Sequence, residues 1–542
     1  MNSYQSSAIS VLIVLLTGVA SGVDYPQWRG ADGSGATPDV GVKCVEDLSQ
    51  MKLVWESEAY LPDSYDNQYR GKQDEPDGGF TAHSLYDGKL YVQYSVPAGD
   101  LQDKNRLEAF PESPHAKNFS KVWADDVILC MDAKAGRTLW KRTYAMKGCH
   151  AFRLLGLVHT QPAIQDGKVY AVGSLGRVYC LDAKTGDPVW ETTVGPGHEW
   201  AVKAIEKWAA DQAKGEGEKY VRDNRTIKVL GKNDHGTLFT TLMPQLAGDV
   251  LVVNTGYQGD LAAFDLKTGK QRWYRAGVAA QKQSPTVWRS GDKYYVLHAS
   301  GNGNEHGALV CTDAATGERA WLAKDAPTAG ELGPVVSGPY IVVQGSARCG
   351  KGGTPLSCFR ADGKGATKVW SMPPDLAPDC PSKQRSWCAP VIYRNHVYMR
   401  SDSPDGATPI IFACIELETG KVKGVIKSTH SATYCSMMAA DGRIVTDWEV
   451  LDADPENFRL LLKPGDYAKV KAGTPFNAKI GGDALAMFNA QGDIQRRDGS
   501  ITKSVIRPVR TFQTNVLGGG FYYWRGAHHI YCYDFRAPEA RK

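Results

Sequence analysis

The chain has 542 residues, 42% hydrophobic and 23% charged, the composition of an ordinary globular protein with enough length for a large core. Its 63 basic and 59 acidic side chains leave a formal charge of only +4, and no run of five or more Lys/Arg occurs. Disorder and nucleic-acid partners are therefore excluded as organising themes.

In chain order, the first feature is MNSYQSSAISVLIVLLTGVASG, an apolar run from Ile9 to Leu16 followed by the small residues Gly18, Ala20, Ser21 and Gly22. Although a basic start is missing, this pattern predicts a secretory signal peptide over residues 1–22, cut near Ala20 or Gly22. The run is too short to span a bilayer comfortably, and no later stretch offers about twenty apolar residues. The sequence thus predicts an exported protein, periplasmic or extracellular, with no transmembrane segment after cleavage. Next come YPQWRGADGSG (Tyr25 to Gly35) and KLVWES (Lys52 to Ser57), the latter a strand with a tryptophan and no partner nearby.

A repeat dominates the rest. The phrase VYCLDAKTGDPVW (Val178 to Trp190) has relatives at Ile128 to Trp140, Leu261 to Trp273 and Leu309 to Trp321. The closing tryptophans Trp140, Trp190, Trp273, Trp321 and Trp370 stand 50, 83, 48 and 49 residues apart. Upstream of each lies a partner such as QPAIQDGKVYAVGS (Gln161 to Ser174), two short runs joined by an Asp-Gly turn. Period-two alternation broken by tight DG and KTG turns specifies consecutive antiparallel strands, so each unit is a four-stranded meander. Units start at Thr81, Thr160, Thr241, Ser284, Gly333, Ala389, Cys435 and Thr514. Eight such sheets must pack radially, and closing the ring removes the exposed ends. The last unit stops after its third strand, and KLVWES supplies the missing fourth. The predicted architecture is therefore all-β: an eight-bladed β-propeller of four-stranded antiparallel blades, closed by an N-terminal strand, as one domain over residues 23–542. A β-sandwich is the competing arrangement. The 83-residue interval carries an insertion at about 191–240, in which Trp200, Ala204, Ile205 and Trp208 fall on one helical stripe. That predicts a helix between the second and third blades.

The phrases LDAKTGDPVW and DGKVYAVGSLGRVYCLD resemble the repeat of the PQQ-like, quinoprotein-type β-propellers, which include quinoprotein alcohol dehydrogenases and assembly scaffolds of the BamB type. YPQWRGADGSG resembles the start of secreted bacterial proteins of that wider group. The resemblance implies the fold and leaves activity open. Quinoprotein dehydrogenases are expected to carry an adjacent Cys-Cys pair, a calcium site and an aspartate base. No Cys-Cys occurs here and no calcium constellation is evident, so PQQ is not carried over to this chain. KGCH ends like a haem attachment site, but Met146 stands where C-x-x-C-H needs its first cysteine, which rejects covalent haem. GNGNEHG (Gly301 to Gly307) lacks the strand-turn-helix setting of a nucleotide site and reads as a loop.

Six of the twelve cysteines share one repeat position: Cys130, Cys180, Cys311, Cys358, Cys414 and Cys532, with Ala263 in the same slot of another unit. Alanine there says that the slot wants a small, buried residue, which free cysteine satisfies. Cys44, Cys149, Cys349, Cys380, Cys388 and Cys435 follow no repeat; export makes disulfides among them plausible, with Cys388 and Cys435 the favoured pair.

Tight DG and KTG turns lie on one face of the ring, and long connections on the other: 94–125, 141–158, 191–240, 300–307, 345–357 and 371–387. Of twelve histidines, only His396 falls on the tight-turn face. Long loops on a rigid scaffold are where binding or chemistry usually sits. The sequence therefore predicts a propeller that uses this face to bind a polysaccharide or an envelope protein, as a monomer. An aromatic-lined surface from Trp200, Trp387, Tyr434 and Trp524 would serve it. The alternative is a polysaccharide lyase acting on a uronate-containing glycan, which needs a base for the proton beside the carboxylate and a cation to neutralise that carboxylate. His83, His159, His235, Arg348, Arg385 and Tyr434 are its candidate catalytic residues. A quinoprotein-type oxidoreductase is the third reading. No cofactor is predicted, although His with Cys could hold a divalent metal.

Overall fold

The computed structural model describes residues 23–45, 51–61, 81–97, 121–151, 160–173, 176–194, 243–254, 259–279, 284–300, 305, 308–326, 333–344, 356–372, 389–400, 410–428, 437–446, 450–461, 494–495, 501–502, 515–525 and 529–541. These form eight four-stranded antiparallel sheets, with a small hairpin at 494–502 outside them. Seven sheets take their strands in chain order from the axis outward, with blade 1 running His83–Tyr86, Lys89–Pro97, Lys121–Asp132 and Thr138–Ala151. Blades 2 to 7 begin at Ala163, Gln245, Thr286, Val335, Val391 and Met438. Blade 8 has only three strands of its own (Val516–Gly518, Phe521–Arg525, Ile530–Asp534), and Lys52–Glu56 from the N-terminal region pairs onto the last of them. The ring is an eight-bladed propeller closed by the predicted strand.

The repeated phrase is the seam between blades. In five units the cysteine or alanine slot pairs across the sheet with the closing tryptophan: Cys130 with Trp140, Cys180 with Trp190, Ala263 with Trp273, Cys311 with Trp321 and Cys358 with Trp370. Each indole then reaches into the next blade. Trp140 Nε1 donates to Ala183 O at 3.1 Å, Trp190 to Leu266 O at 3.0 Å, and Trp273 to Ala314 O at 2.9 Å. The glycine of the receiving KTG turn lies under the ring: a Cβ on Gly186 would stand 2.6 Å from Trp140. The clasp reproduces the contact, since Trp55 pairs with Cys532 and its Nε1 donates to Ala133 O of blade 1 at 3.1 Å. Ring closure thus uses the same joint as the other seams.

The structure corrects two boundaries. The segments 94–125 and 141–158 were expected to be long connections, but the second strand of blade 1 runs to Pro97, the third begins at Lys121 and the fourth reaches Ala151. A register shift between Ala124 and Asp126 lets Lys121–Ala124 pair with Gly148–Ala151, which lengthens the hairpin beyond its neighbours. Of the insertion at 191–240, only the end of a strand, Pro188–Thr193, and Val194 belong to the described residues. The predicted helix lies outside them.

Candidate functional site

The innermost strand of a blade runs from the face that bears the long connections down to the tight DG turn. The second strand returns to that face. Buried polar side chains collect at the loop-bearing ends: Thr81, His83, Gln93, Gln161, Asn254, Gln344 and Arg400 among others. Many of them bond from one blade to the next. Gln93 Nε2 donates to Val172 O at 2.7 Å while its Oε1 accepts from Val172 N at 3.1 Å, so the side chain acts as an extra peptide unit between blades 1 and 2. Ser84 Oγ donates to Pro162 O, Thr286 Oγ1 to Pro334 O and Gln344 Nε2 to Arg400 O, linking blades 1 to 2, 4 to 5 and 5 to 6. These bonds offset the cost of burying polar groups and fix the inner ring.

Of the predicted catalytic set, the structure describes His83 alone; His159, His235, Arg348, Arg385 and Tyr434 lie outside the described residues. His83 shares the strand face of Leu85 and is fully buried against blade 8. Neither ring nitrogen has a hydrogen bond of good geometry, although the Tyr523 backbone lies beside it. Burial first, and then the Arg525 guanidinium, depress its pKa to about 3, so the imidazole is neutral at any physiological pH. Arg525 is itself buried, and its Nη2 donates to Leu61 O at 3.2 Å just past the clasp. Sequence reasoning missed Asp126, a fully buried carboxylate that accepts from Tyr179 Oη at 2.9 Å, with Gly173 leaving the room it occupies. Its place at the loop-bearing end of a third strand, in the acidic pair Asp125-Asp126, was the available signal. In blade 3 a second buried carboxylate, Asp260, stands one register position further along the third strand, where Tyr274 Oη and Gly277 N donate to it.

The repeat cysteines are free and buried, as are their surroundings: burial lifts Cys130, Cys180 and Cys358 to about 12 and raises Cys311 and Cys532 further. Cys44, one of the cysteines outside the repeat, is free as well. The side chains of Cys149, Cys349, Cys380, Cys388 and Cys435 lie outside the described set. Among the described residues no three His, Cys, Asp or Glu side chains come together as a metal-ligand group.

The floor of the loop-bearing face was not foreseen. Residues 25–37 lie inside the ring of inner strands, and the tight-turn face beneath carries residues 39–45 on the way to the clasp. There Asp39 accepts two bonds from Arg394 and one from Tyr393, and Asp441 Oδ1 accepts from the amides of Val40 and Gly41. Trp28 packs on Ala82 and Met243. Those residues precede Leu85 and Leu246, where the segment's backbone and Gln27 are held, by three positions, or roughly 10 Å toward the loop-bearing face. The indole therefore projects from the axial segment toward that face, and its Nε1 is buried without a hydrogen-bond partner.

A family model described as outer membrane protein assembly factor BamB, of the PQQ-like repeat type, matches residues 124–371, the stretch from the third strand of blade 1 through blade 5. Over those residues the chain is similar to the PQQ-like repeat propellers. It is 27% identical over 223 residues to the outer membrane protein assembly factor BamB of Burkholderia pseudomallei, covering 39% of this chain and 55% of that one. It is 25% identical over 232 residues to the dehydrogenase subunit of a quinone-dependent alcohol dehydrogenase from Acetobacter aceti, covering 41% of this chain and 26% of that one. The matched regions thus span about half of one relative and a quarter of the other. Among solved structures, a quinohemoprotein alcohol dehydrogenase from Pseudomonas putida aligns over 94% of this chain and 80% of its own, with 13% identity and a TM-score of 0.46.

Proposed function

We propose that this PQQ-like propeller is an exported binding scaffold that holds an envelope protein on its loop-bearing face. The observation that carries the reading is the division of labour in the ring. The seams and the axis are occupied by the chain's own side chains and main chain, so the long connections of one face are left as the variable surface. The likeness to a protein named for outer-membrane assembly supports a protein partner over a polysaccharide, and no helix of the described residues is long and apolar enough to cross a membrane. The lyase reading is weakened by His83, because a buried imidazole that protonates only near pH 3 is a poor base for abstracting a proton at neutral pH.

The test places a photo-crosslinking amino acid at position 385, in a long connection, and at position 396, in a tight turn, in cells. Crosslinks to one envelope protein from 385 and none from 396 are expected, and His159→Ala and Arg385→Ala should weaken that complex while His396→Ala leaves it intact. Equal crosslinking from both faces overturns the assignment. Formation of unsaturated products from a panel of acidic polysaccharides, followed by ultraviolet absorbance, would replace the scaffold reading with the lyase.

A further inference from the structure

The innermost strand of every blade has one edge with no strand partner, so a closed ring of eight presents eight free edges to its axis. Residues 25–37 cover them in the order in which the blades follow one another along the chain. Tyr25 exchanges both main-chain bonds with Leu85 of blade 1, at 2.7 and 3.1 Å. Pro26 O accepts from Ile164 N of blade 2 at 2.9 Å, and Gln27 Oε1 accepts from Leu246 N of blade 3 at 2.8 Å. At Gly33 an added Cβ would stand 3.1 Å from Val287 O of blade 4 and 2.6 Å from Val336 Cγ2 of blade 5, whose amide donates to Gly33 O at 3.0 Å. Ser34 O accepts from Ile392 N of blade 6 at 2.9 Å. Thr37 N donates to Ala439 O of blade 7 at 2.9 Å, and Thr37 Oγ1 to Leu517 O of blade 8 at 2.5 Å.

We propose that the axial channel is a binding site for an extended polypeptide, and that its resident ligand is the chain's own segment 25–37, which plugs the channel and holds the ring shut. Recognition is by main chain. Five inner-strand amides converge on acceptors of the segment, and carbonyls of blades 1, 7 and 8 take its donors, as in strand addition to a sheet edge, but with one bond or two to a sheet and, at blade 4, a close approach at Gly33. Side chains then set the register. Gly33, with φ near +79°, passes where no larger residue fits, and Trp28 anchors the segment between blades 1 and 3. This inference stands on the axial contacts and does not depend on the scaffold reading.

The test inserts a site-specific protease sequence after Gly41, an exposed glycine with nothing within 4 Å of an added Cβ, and cuts the full chain after it has folded. The released fragment should stay with the ring through gel filtration. Once it is stripped in mild denaturant, the ring should melt roughly 10 °C or more below the loaded form. A synthetic peptide of residues 23–41 should restore the melting temperature, and a scrambled peptide should not. Gly33→Val should hasten loss of the fragment, while Gly41→Ala should leave it in place. Should the insertion prevent folding, the Gly33→Val and Gly41→Ala chains are compared uncut; Gly41→Ala carries only the strain of an L side chain at φ near +74°, so Gly33→Val should melt lower than it and be cleaved faster by a general protease. The proposal is overturned if the fragment leaves on cutting with no change in melting, if the stripped ring melts like the loaded one, or if Gly33→Val behaves like Gly41→Ala.

Discussion

Gly136→Ala tests the seam that closes the ring. Gly136 has φ near +68°, and an added Cβ would lie 2.5 Å from Cε3 and 2.8 Å from Cδ2 of Trp55, the clasp tryptophan. Two costs combine: about 1–2 kcal/mol for placing an L side chain in the left-handed region, and about 1–3 kcal/mol for forcing a methyl into a packed ring contact. Gly88→Ala in the same blade separates them, because Gly88 has φ near +69° but nothing within 4 Å of the added Cβ. Denaturant unfolding followed by circular dichroism should therefore show both variants destabilised, with Gly136→Ala the worse by about 1–3 kcal/mol at unchanged m-value. Adding Trp55→Leu should make the Gly136 change cheaper, a coupling of about 1 kcal/mol between residues in contact. Equal midpoints for the two glycine variants, or strict additivity with Trp55→Leu, would refute the claim that the clasp is held by this joint.

Other consequences are as direct. Cys180→Ala should cost less than about 1 kcal/mol, since Ala263 fills the equivalent slot, and a thiol reagent should label none of the six repeat cysteines until the protein unfolds. Deleting Lys52–Glu56 exposes the last strand of blade 8 and should render the chain insoluble or readily cleaved by protease; a deletion variant melting like the parent would exclude the clasp. His83 and His298 are depressed by burial from 6.5 to about 3 and about 4, so between those values and 6.5 the unfolded chain carries protons that the fold rejects. Stability should then fall on acidification below pH 6.5, by up to about 1.4 kcal/mol per pH unit for each histidine, and should not vary from these groups above pH 7. His298→Gln should flatten that acid limb; an unchanged slope would show that its imidazole is not held neutral.

Blade count and closure were legible because the seam repeats: a small Cys or Ala, a tight turn and a closing tryptophan recur in blades 1 to 5, and the clasp tryptophan Trp55 repeats the pairing with Cys532. The long hairpin of blade 1 was not legible, because the register shift beside Asp126 has no counterpart in the other units. The placement of His83 could have been read more closely. Period-two alternation puts it on the face of Leu85, and so in the core between blades 1 and 8 rather than at a surface. The axial segment left the faintest trace, since its bonds run through main-chain atoms to strands up to 480 residues away and impose no period. Three glycines in six residues, Gly30, Gly33 and Gly35, all at positive φ, were the only sign that backbone there passes close to backbone.

The two faces of the ring differ in what the chain has already used. On the tight-turn face, Asp39 accepts from Tyr393 Oη and Asp441 N, and Lys43 pairs with Glu539, along the route from the axis to the clasp. On the loop-bearing face, the inner-strand ends are tied blade to blade by Gln93, Ser84, Thr286 and Gln344, so the platform under the long connections is rigid before anything binds. A rigid platform lets loop residues change without reorganising the seams, which lie at the opposite, KTG end of the strands. Specificity and stability are thereby separable in this fold: substitutions in the connections should move binding and leave melting unchanged, while substitutions at the tryptophan joints should do the reverse.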